Sequence, residues 1–295
     1  MRERPAPANC DTTALTFLRF HKKSLTFGVK ELDRVMVQNL SKTLCLEICG
    51  SSACGKSELL LNACAQSVIP DEFQGIIVGG SKSSALFFCI GCTSSLYISR
   101  LVTLLDMHAR KVIQFVDQSN LDVQSWTRAF ILDCLSRIHF VVCYNAFEVF
   151  CAIRSMEDFL QCGNVQIVAF DCLSVLQWYS RVEQKAHEKE DSHGSSAQLD
   201  SCFLWLDSLA KQYNLIILAS RWFTAKKSDA LDKDYSMHKT NMMWEQMVTH
   251  RIVLDVCSKP GGQMKYVGSV KSFESKENHQ EIEFNVTYWH DFLHV

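Results

Sequence analysis

A chain of 295 residues, 47% of them hydrophobic, is long enough to bury a sizeable core as one large or two small domains. Lys and Arg number 30 against 32 Asp and Glu, and the formal charge of −2 excludes the strongly basic balance of a chain that holds nucleic acid by bulk charge alone. The 14 Cys fall largely inside apolar runs, at Cys45, Cys49, Cys64, Cys134 and Cys143, which is how free thiols pack as small hydrophobes in a reducing, intracellular compartment.

Residues 1–23 are polar, with Pro5 and Pro7, and carry no apolar stretch of signal-peptide length. They are expected to form a short flexible segment ahead of a core spanning residues 24–295. No apolar run of about 18 residues occurs beyond them, so a soluble, non-secreted chain without membrane contact is expected. Leu25 to Asp33 then leads into a short helix pattern.

The stretch Leu44 to Leu61, LCLEICGSSACGKSELLL, is the one around which the rest of the chain is organised. An apolar run enters Gly50-Ser51-Ser52-Ala53-Cys54-Gly55-Lys56-Ser57, and a Leu-rich helix pattern begins at once, which is the order strand, phosphate loop, helix. Two glycines let the backbone turn tightly, so that successive N–H groups point inward and cradle phosphate oxygens. Lys56 is expected to reach the outer phosphates of ATP, and the Ser57 hydroxyl to hold Mg²⁺. The positive end of the helix starting near Ser57 faces the same anion.

That helix is expected to end at Ile69-Pro70, since proline cannot continue it. A Gly/Ser-rich loop, Gly75 to Ser84, precedes Ala85 to Ile90, a continuous apolar run that reads as a strand covered on both faces. Leu96 to Ile113 carries Ile98, Leu101, Val102 and Leu105 at helical spacing. A helix at Trp126 to Leu135, a strand at Ile138 to Cys143, a helix at Ala146 to Leu160 and a strand at Val165 to Phe170 ending in Asp171 come after it. Strands alternating with helices imply right-handed crossovers and a parallel sheet. Val182 to Asp200 is charged and Ser/Gly-containing, and reads as a mobile loop. Helix Gln198 to Gln212, strand Leu215 to Ala219 and a second loop, Thr224 to Thr240, come next. Short strands at Arg251 to Val256, Met264 to Lys271 and Glu281 to Val286, joined by Pro260-Gly261-Gly262 and a polar loop, are expected to extend the sheet antiparallel. The fold class is therefore α/β, a mainly parallel sheet flanked by helices with C-terminal antiparallel strands.

Asp171 ends a buried strand at the carboxyl edge of the sheet, where ligands bind, and an Asp there orders the Mg²⁺ shell of a phosphate-loop protein. Hydrolysis also needs a group that orients the attacking water, and its natural place is the end of the strand Ala85 to Ile90. That strand runs into Gly91-Cys92-Thr93, with no acidic residue before Asp106. No catalytic residue is therefore assigned. The Cys89/Cys92 pair lacks a second pair or a nearby His, so core packing is expected of it and not zinc binding.

The order ELD, LEICGSSACGKS, LFF, VQIVAFD and LIILAS, with a loop after each of the last two, resembles the RecA-type recombination ATPase core. RLVTLLD from Arg100, DCLSVLQWYSRV from Asp171 and WEQMVTHR from Trp244 are similar to eukaryotic recombinase paralogues of that family. The resemblance spans Leu25 to Asp255. It implies ATP and Mg²⁺ at Gly50, Gly55, Lys56, Ser57 and Asp171, a nuclear protein of homologous recombination repair, partnership with other RecA-family paralogues, and DNA contact through the complex. The family's catalytic carboxylate falls near Thr93, and its polar γ-phosphate sensor near Trp222. Both positions depart from the pattern, which implies weak or absent turnover. The loops after Asp171 and Trp222 correspond to DNA-contacting loops of active recombinases. In the first, Arg181, Lys185 and Lys189 meet Glu183, Glu188, Glu190 and Asp191, a net acidic stretch and a poor phosphate tracker. In the second, Lys226 and Lys227 are the candidates for a phosphate backbone.

Two functions from different classes are implied: an ATP-binding, weakly or non-catalytic subunit of a repair complex, and a DNA-stimulated ATPase active in its own right. The missing acidic residue near Thr93 separates them. A transporter-type ATPase is disfavoured by the absence of an LSGGQ-like stretch. A small-molecule kinase needs further arginines over the phosphates, for which Arg221 and Arg251 are the late candidates. A polymerising recombinase also carries an upstream Phe-x-x-Ala, and neither Phe17, Phe20 nor Phe27 is followed by Ala at that spacing.

Overall fold

Every residue of Leu44–Gly50 is buried in β1, the continuous apolar pattern of a strand with helices on both sides of its sheet. The computed structural model describes residues 25–38, 44–116, 121–162, 164–176, 194–222, 242–258, 264–273 and 284–286. After α1 (Lys30–Gln38) and β1 come α2 (Lys56–Val68), a hairpin of β2 (Glu72–Phe73) and β3 (Ile76–Ile77), β4 (Ser84–Ile90), α3 (Ser95–Ile113) and α4 (Val123–Leu135). The chain continues through β5 (Ile138–Cys143), α5 (Ala146–Cys162), β6 (Val165–Asp171), α6 (Gly194–Gln212), β7 (Ile216–Trp222), α7 (Met242–Met247), β8 (His250–Ser258), β9 (Met264–Ser272) and β10 (Phe284–Val286).

The main sheet among the described residues runs in the order β10-β9-β8-β1-β7-β6-β4-β5. The strands from β8 to β5 in that order are parallel, β9 is antiparallel to β8, and β10 is antiparallel to β9. The expected α/β class and mainly parallel sheet therefore hold, with one correction. Arg251 to Val256, expected to run antiparallel, lies in β8 parallel to β1, with Glu47 opposite Arg251. The antiparallel extension begins at β9. A helix, α7, separates β7 from β8, so the chain returns to the same end of the sheet before entering β8; a hairpin could not have done this.

Alternate residues of each strand feed two cores. Leu46, Ile48, Phe87, Ala169 and Leu218 pack with α1 to α4 on one face. Phe88, Phe170, Ile217 and Ala219 pack with α5 to α7 on the other. Two stretches read as loops are ordered further than expected, and α3 shows which of its apolar positions are buried. The stretch read as a loop from Gly75 starts inside the β2–β3 hairpin, whose tip holds Gln74 and Gly75 at positive φ while Phe73 stacks edge-on against Trp126 and Phe130. The charged segment read as a loop up to Asp200 is helical from Gly194, because Leu199, Cys202, Phe203 and Leu206 give α6 an apolar stripe against the sheet. In α3 the buried positions are Leu101, Leu104, Leu105, Ala109 and Ile113, whereas Ile98 and Val102 lie on the outer surface.

Residues 1–23 and most of the two charged loops, with Arg181, Lys185, Lys189, Glu183, Glu188, Glu190, Asp191, Lys226 and Lys227, lie outside the described residues. Among the described residues no helix is long and apolar enough to cross a membrane.

Candidate functional site

The loop after β1 is shaped by one close approach and one left-handed turn. A Cβ on Gly50 would collide with Cys54 Sγ and the Leu254 carbonyl oxygen of β8, so no larger residue fits. Gly55, at φ 90°, caps the N-terminus of α2 in a conformation that costs L-residues energy. Ala53 takes a similar conformation at φ 61°, a strain that a tight loop tolerates when its surroundings hold it. The helix begins at Lys56, one residue before the expected Ser57.

Lys56 is buried, and its ammonium donates to the Gly50 carbonyl at 3.1 Å, the Ser51 carbonyl at 2.5 Å and Cys54 Sγ at 3.6 Å. These contacts fold the charge back over the loop. Cys54, nearly inaccessible, is held as a thiol by burial, which outweighs the opposing pull of Lys56. Ser51, Ser52, Ala53 and Ser57 are exposed.

The loop forms one wall of a cleft of about 890 Å³, within the range of small-molecule sites. The carboxyl ends of β4, β6 and β7 supply Ile90, Asp171, Ser220 and Trp222; Ser57 and Glu58 come from α2, Tyr97 and Arg100 from α3. The cleft lies at the carboxyl ends of parallel strands, where ligands bind in open α/β sheets. Asp171 thus shares one cleft with Lys56 and Ser57, although β7 intervenes between its strand and β1.

Asp171 is 3% exposed, and both of its oxygens accept hydrogen bonds. The Ser220 hydroxyl donates to Oδ1, and the Tyr97 hydroxyl donates to Oδ2 at 2.7 Å. Ser220 Oγ in turn accepts from the Cys172 N–H at 2.7 Å. Burial and the Asp171 charge push the Tyr97 phenol above its ordinary value, so it remains a donor at physiological pH. Tyr97 also lies 3.1 Å from Cys92 Sγ. The core-packing expectation for the Cys89/Cys92 pair holds: Cys89 is buried, and partly buried Cys92 packs against the same core while also lining the cleft.

One turn after Tyr97, Arg100 forms a forked pair with Glu58, with Nε at 2.8 and 2.9 Å from its two oxygens. The carboxylates lining the cleft, among the described residues, are Glu58 and Asp171, and each is held by these partners. Thr93 is exposed and shares a 3.1 Å hydroxyl contact with Ser95. Trp222 lines the cleft, half exposed, its backbone N–H on Ser174 Oγ at 2.9 Å.

Arg221 and Arg251, considered as late phosphate ligands, turn away from the cleft. Arg221 donates to Glu47 Oε1 at 2.6 Å, Arg251 to Glu47 Oε2 at 2.5 Å, and the Trp244 indole to Oε1 at 2.8 Å. Sequence reasoning missed this buried network and the roles of Tyr97, Glu58, Arg100 and Ser220. A glutamate in the middle of an apolar strand was the legible signal for the first; Tyr97 and Arg100, spaced to share a helix face, were the signal for the second.

A mainly parallel sheet with a glycine-turned loop between β1 and α2, facing an acidic strand end across the carboxyl edge, is consistent with a RecA-type core. No family model matches the chain. Among curated proteins it is similar to one described as a DNA repair protein XRCC2 homolog of Arabidopsis thaliana, 20% identical over 204 residues, which is 60% of this chain and 53% of that protein. The chain spans about half the length of the curated relative it matches.

Proposed function

We propose that the chain is an ATP-binding, weakly or non-catalytic subunit of a recombinase-paralogue complex that promotes homologous recombination repair of DNA in the nucleus. The observation carrying this reading is a cleft whose groups fit a nucleotide and which, among the described residues, offers no carboxylate beside Thr93 to activate water. An ammonium, a helix N-terminus, an exposed hydroxyl and a carboxylate converge there, a donor set that fits phosphates and a hydrated divalent cation. Lys56 would exchange loop carbonyls for phosphate oxygens, Ser57 would offer its hydroxyl to Mg²⁺, and Asp171 would accept from the shell of the ion. No carboxylate stands where Thr93 sits, and Glu58 is tied to Arg100.

The DNA repair description of the similar plant protein supports the pathway. Partnership is supported by β5, the last strand of the sheet among the described residues, in and beside which Val142, Tyr144 and, at the start of α5, Phe147 are exposed. An open strand edge with apolar side chains is a surface that another subunit covers. DNA contact is assigned to the complex, since the chain carries no basic excess.

Calorimetry of ATP binding with Mg²⁺ tests the site. Lys56→Ala should weaken ATP by about 30-fold or more, the loss of charge-assisted phosphate contacts, with an unchanged circular dichroism spectrum. Equal affinity for variant and parent would overturn nucleotide binding. Turnover with single-stranded DNA at or above about 1 s⁻¹, the low end of ordinary enzymes, would instead establish an ATPase active in its own right.

A further inference from the structure

We propose that Tyr97 is a positioning residue that competes with the metal shell for Asp171, so that loading of the cleft with a divalent cation and nucleotide is transmitted to α3. This rests on the nucleotide-binding reading above. Asp171 lines the cleft and yet is 3% exposed. Ser220 takes Oδ1 from the neighbouring strand β7, while Tyr97 reaches Oδ2 from α3 at 2.7 Å. A neutral hydroxyl therefore stands where the carboxylate would otherwise meet a water of the ion.

The same hydroxyl has a second partner within reach, Cys92 Sγ at 3.1 Å. Tyr97 can give up Asp171 and keep a hydrogen bond, so its release leaves no buried polar group unpaired. The first turns of α3 are fixed to the cleft at two points, Tyr97 on Asp171 of β6 and Arg100 on Glu58 of α2. Exchange at the first point loosens α3 from β6, while the second holds it against α2. The ligand class is a divalent cation accompanying a nucleoside triphosphate, and the element that responds is the N-terminal half of α3.

The full chain is titrated with Mg²⁺ at fixed ATP, and separately with ATP in EDTA, following tryptophan fluorescence, since Trp222 lines the cleft. Tyr97→Phe removes the competing donor and keeps the ring, so the half-saturating Mg²⁺ concentration should fall about tenfold, the effect of one hydrogen bond to a charged acceptor. Cys92→Ala removes the alternative partner and should raise it. Circular dichroism spectra and urea-unfolding midpoints that match the parent for both variants exclude misfolding as the cause. A Mg²⁺ requirement that is unchanged or raised in Tyr97→Phe overturns the proposal. Parent protein that binds no ATP in either titration overturns the nucleotide reading itself, which distinguishes the two failures.

Discussion

Glu47 is fully buried in β1, with Arg221 and Arg251 on its two oxygens and the Trp244 indole as a further donor. Glu47→Gln keeps the volume and removes the charge, leaving two guanidinium groups to share Glu245. That residue lies 3.4 Å from Arg221 and 2.8 Å from Arg251, but its side chain is 37% exposed and screened by water. Breaking a buried ion pair by removing one partner costs about 3–5 kcal/mol, and Glu245 places the loss near the low end, about 3 kcal/mol. For a chain of this size that corresponds to roughly 6–12 °C in Tm. The effect should also depend on pH. Burial alone would raise the Glu47 carboxyl, but the charges of Arg221 and Arg251 and the bonds from Arg221 and Trp244 outweigh it and hold the group below its ordinary value of 4.5. A depressed carboxyl contributes stability that is complete above the unfolded value and lost as the pH falls through the folded one. Urea unfolding of parent and variant should therefore show a constant gap near neutrality that narrows below about pH 4.5. A gap under about 1 kcal/mol at pH 7, the size of an exposed pair, or one that widens on acidification, would refute the reasoning.

Two further predictions concern thiols and assembly. Among the described cysteines Cys151 is exposed, whereas Cys45, Cys49 and Cys64 are buried and their thiols are pushed well up by desolvation. Peptide mapping after brief alkylation should find Cys151 modified and those three intact until urea unfolds the chain; early labelling of Cys64 would contradict the packing. Phe147→Asp places a charge on the exposed apolar end of the β5 edge and should abolish co-purification with a paralogue subunit while leaving the circular dichroism spectrum unchanged. Mass photometry of the chain alone should show no filaments, since neither Phe17, Phe20 nor Phe27 carries the Phe-x-x-Ala of a polymerising recombinase, and filaments would contradict this reading.

The amino-acid sequence by itself determined what depends on neighbours along the chain. The apolar run of β1, the glycines at Gly50 and Gly55, and the helix pattern from Lys56 act within a few residues of one another, so strand, loop and helix were legible with their order. The same holds for β5, whose bounds of Ile138–Cys143 match expectation, and for Asp171 at the end of its strand. Only the tertiary structure decided which distant groups meet. The parallel course of β8, the hydrogen bond from Tyr97 to Asp171 and the convergence of Arg221, Arg251 and Trp244 on Glu47 each join residues far apart in sequence. No local periodicity encodes such pairings. A buried carboxylate must find donors wherever the packed fold places them, and an arginine beside the cleft turns to the nearer, drier partner because an unpaired charge in the core costs more than a solvated one.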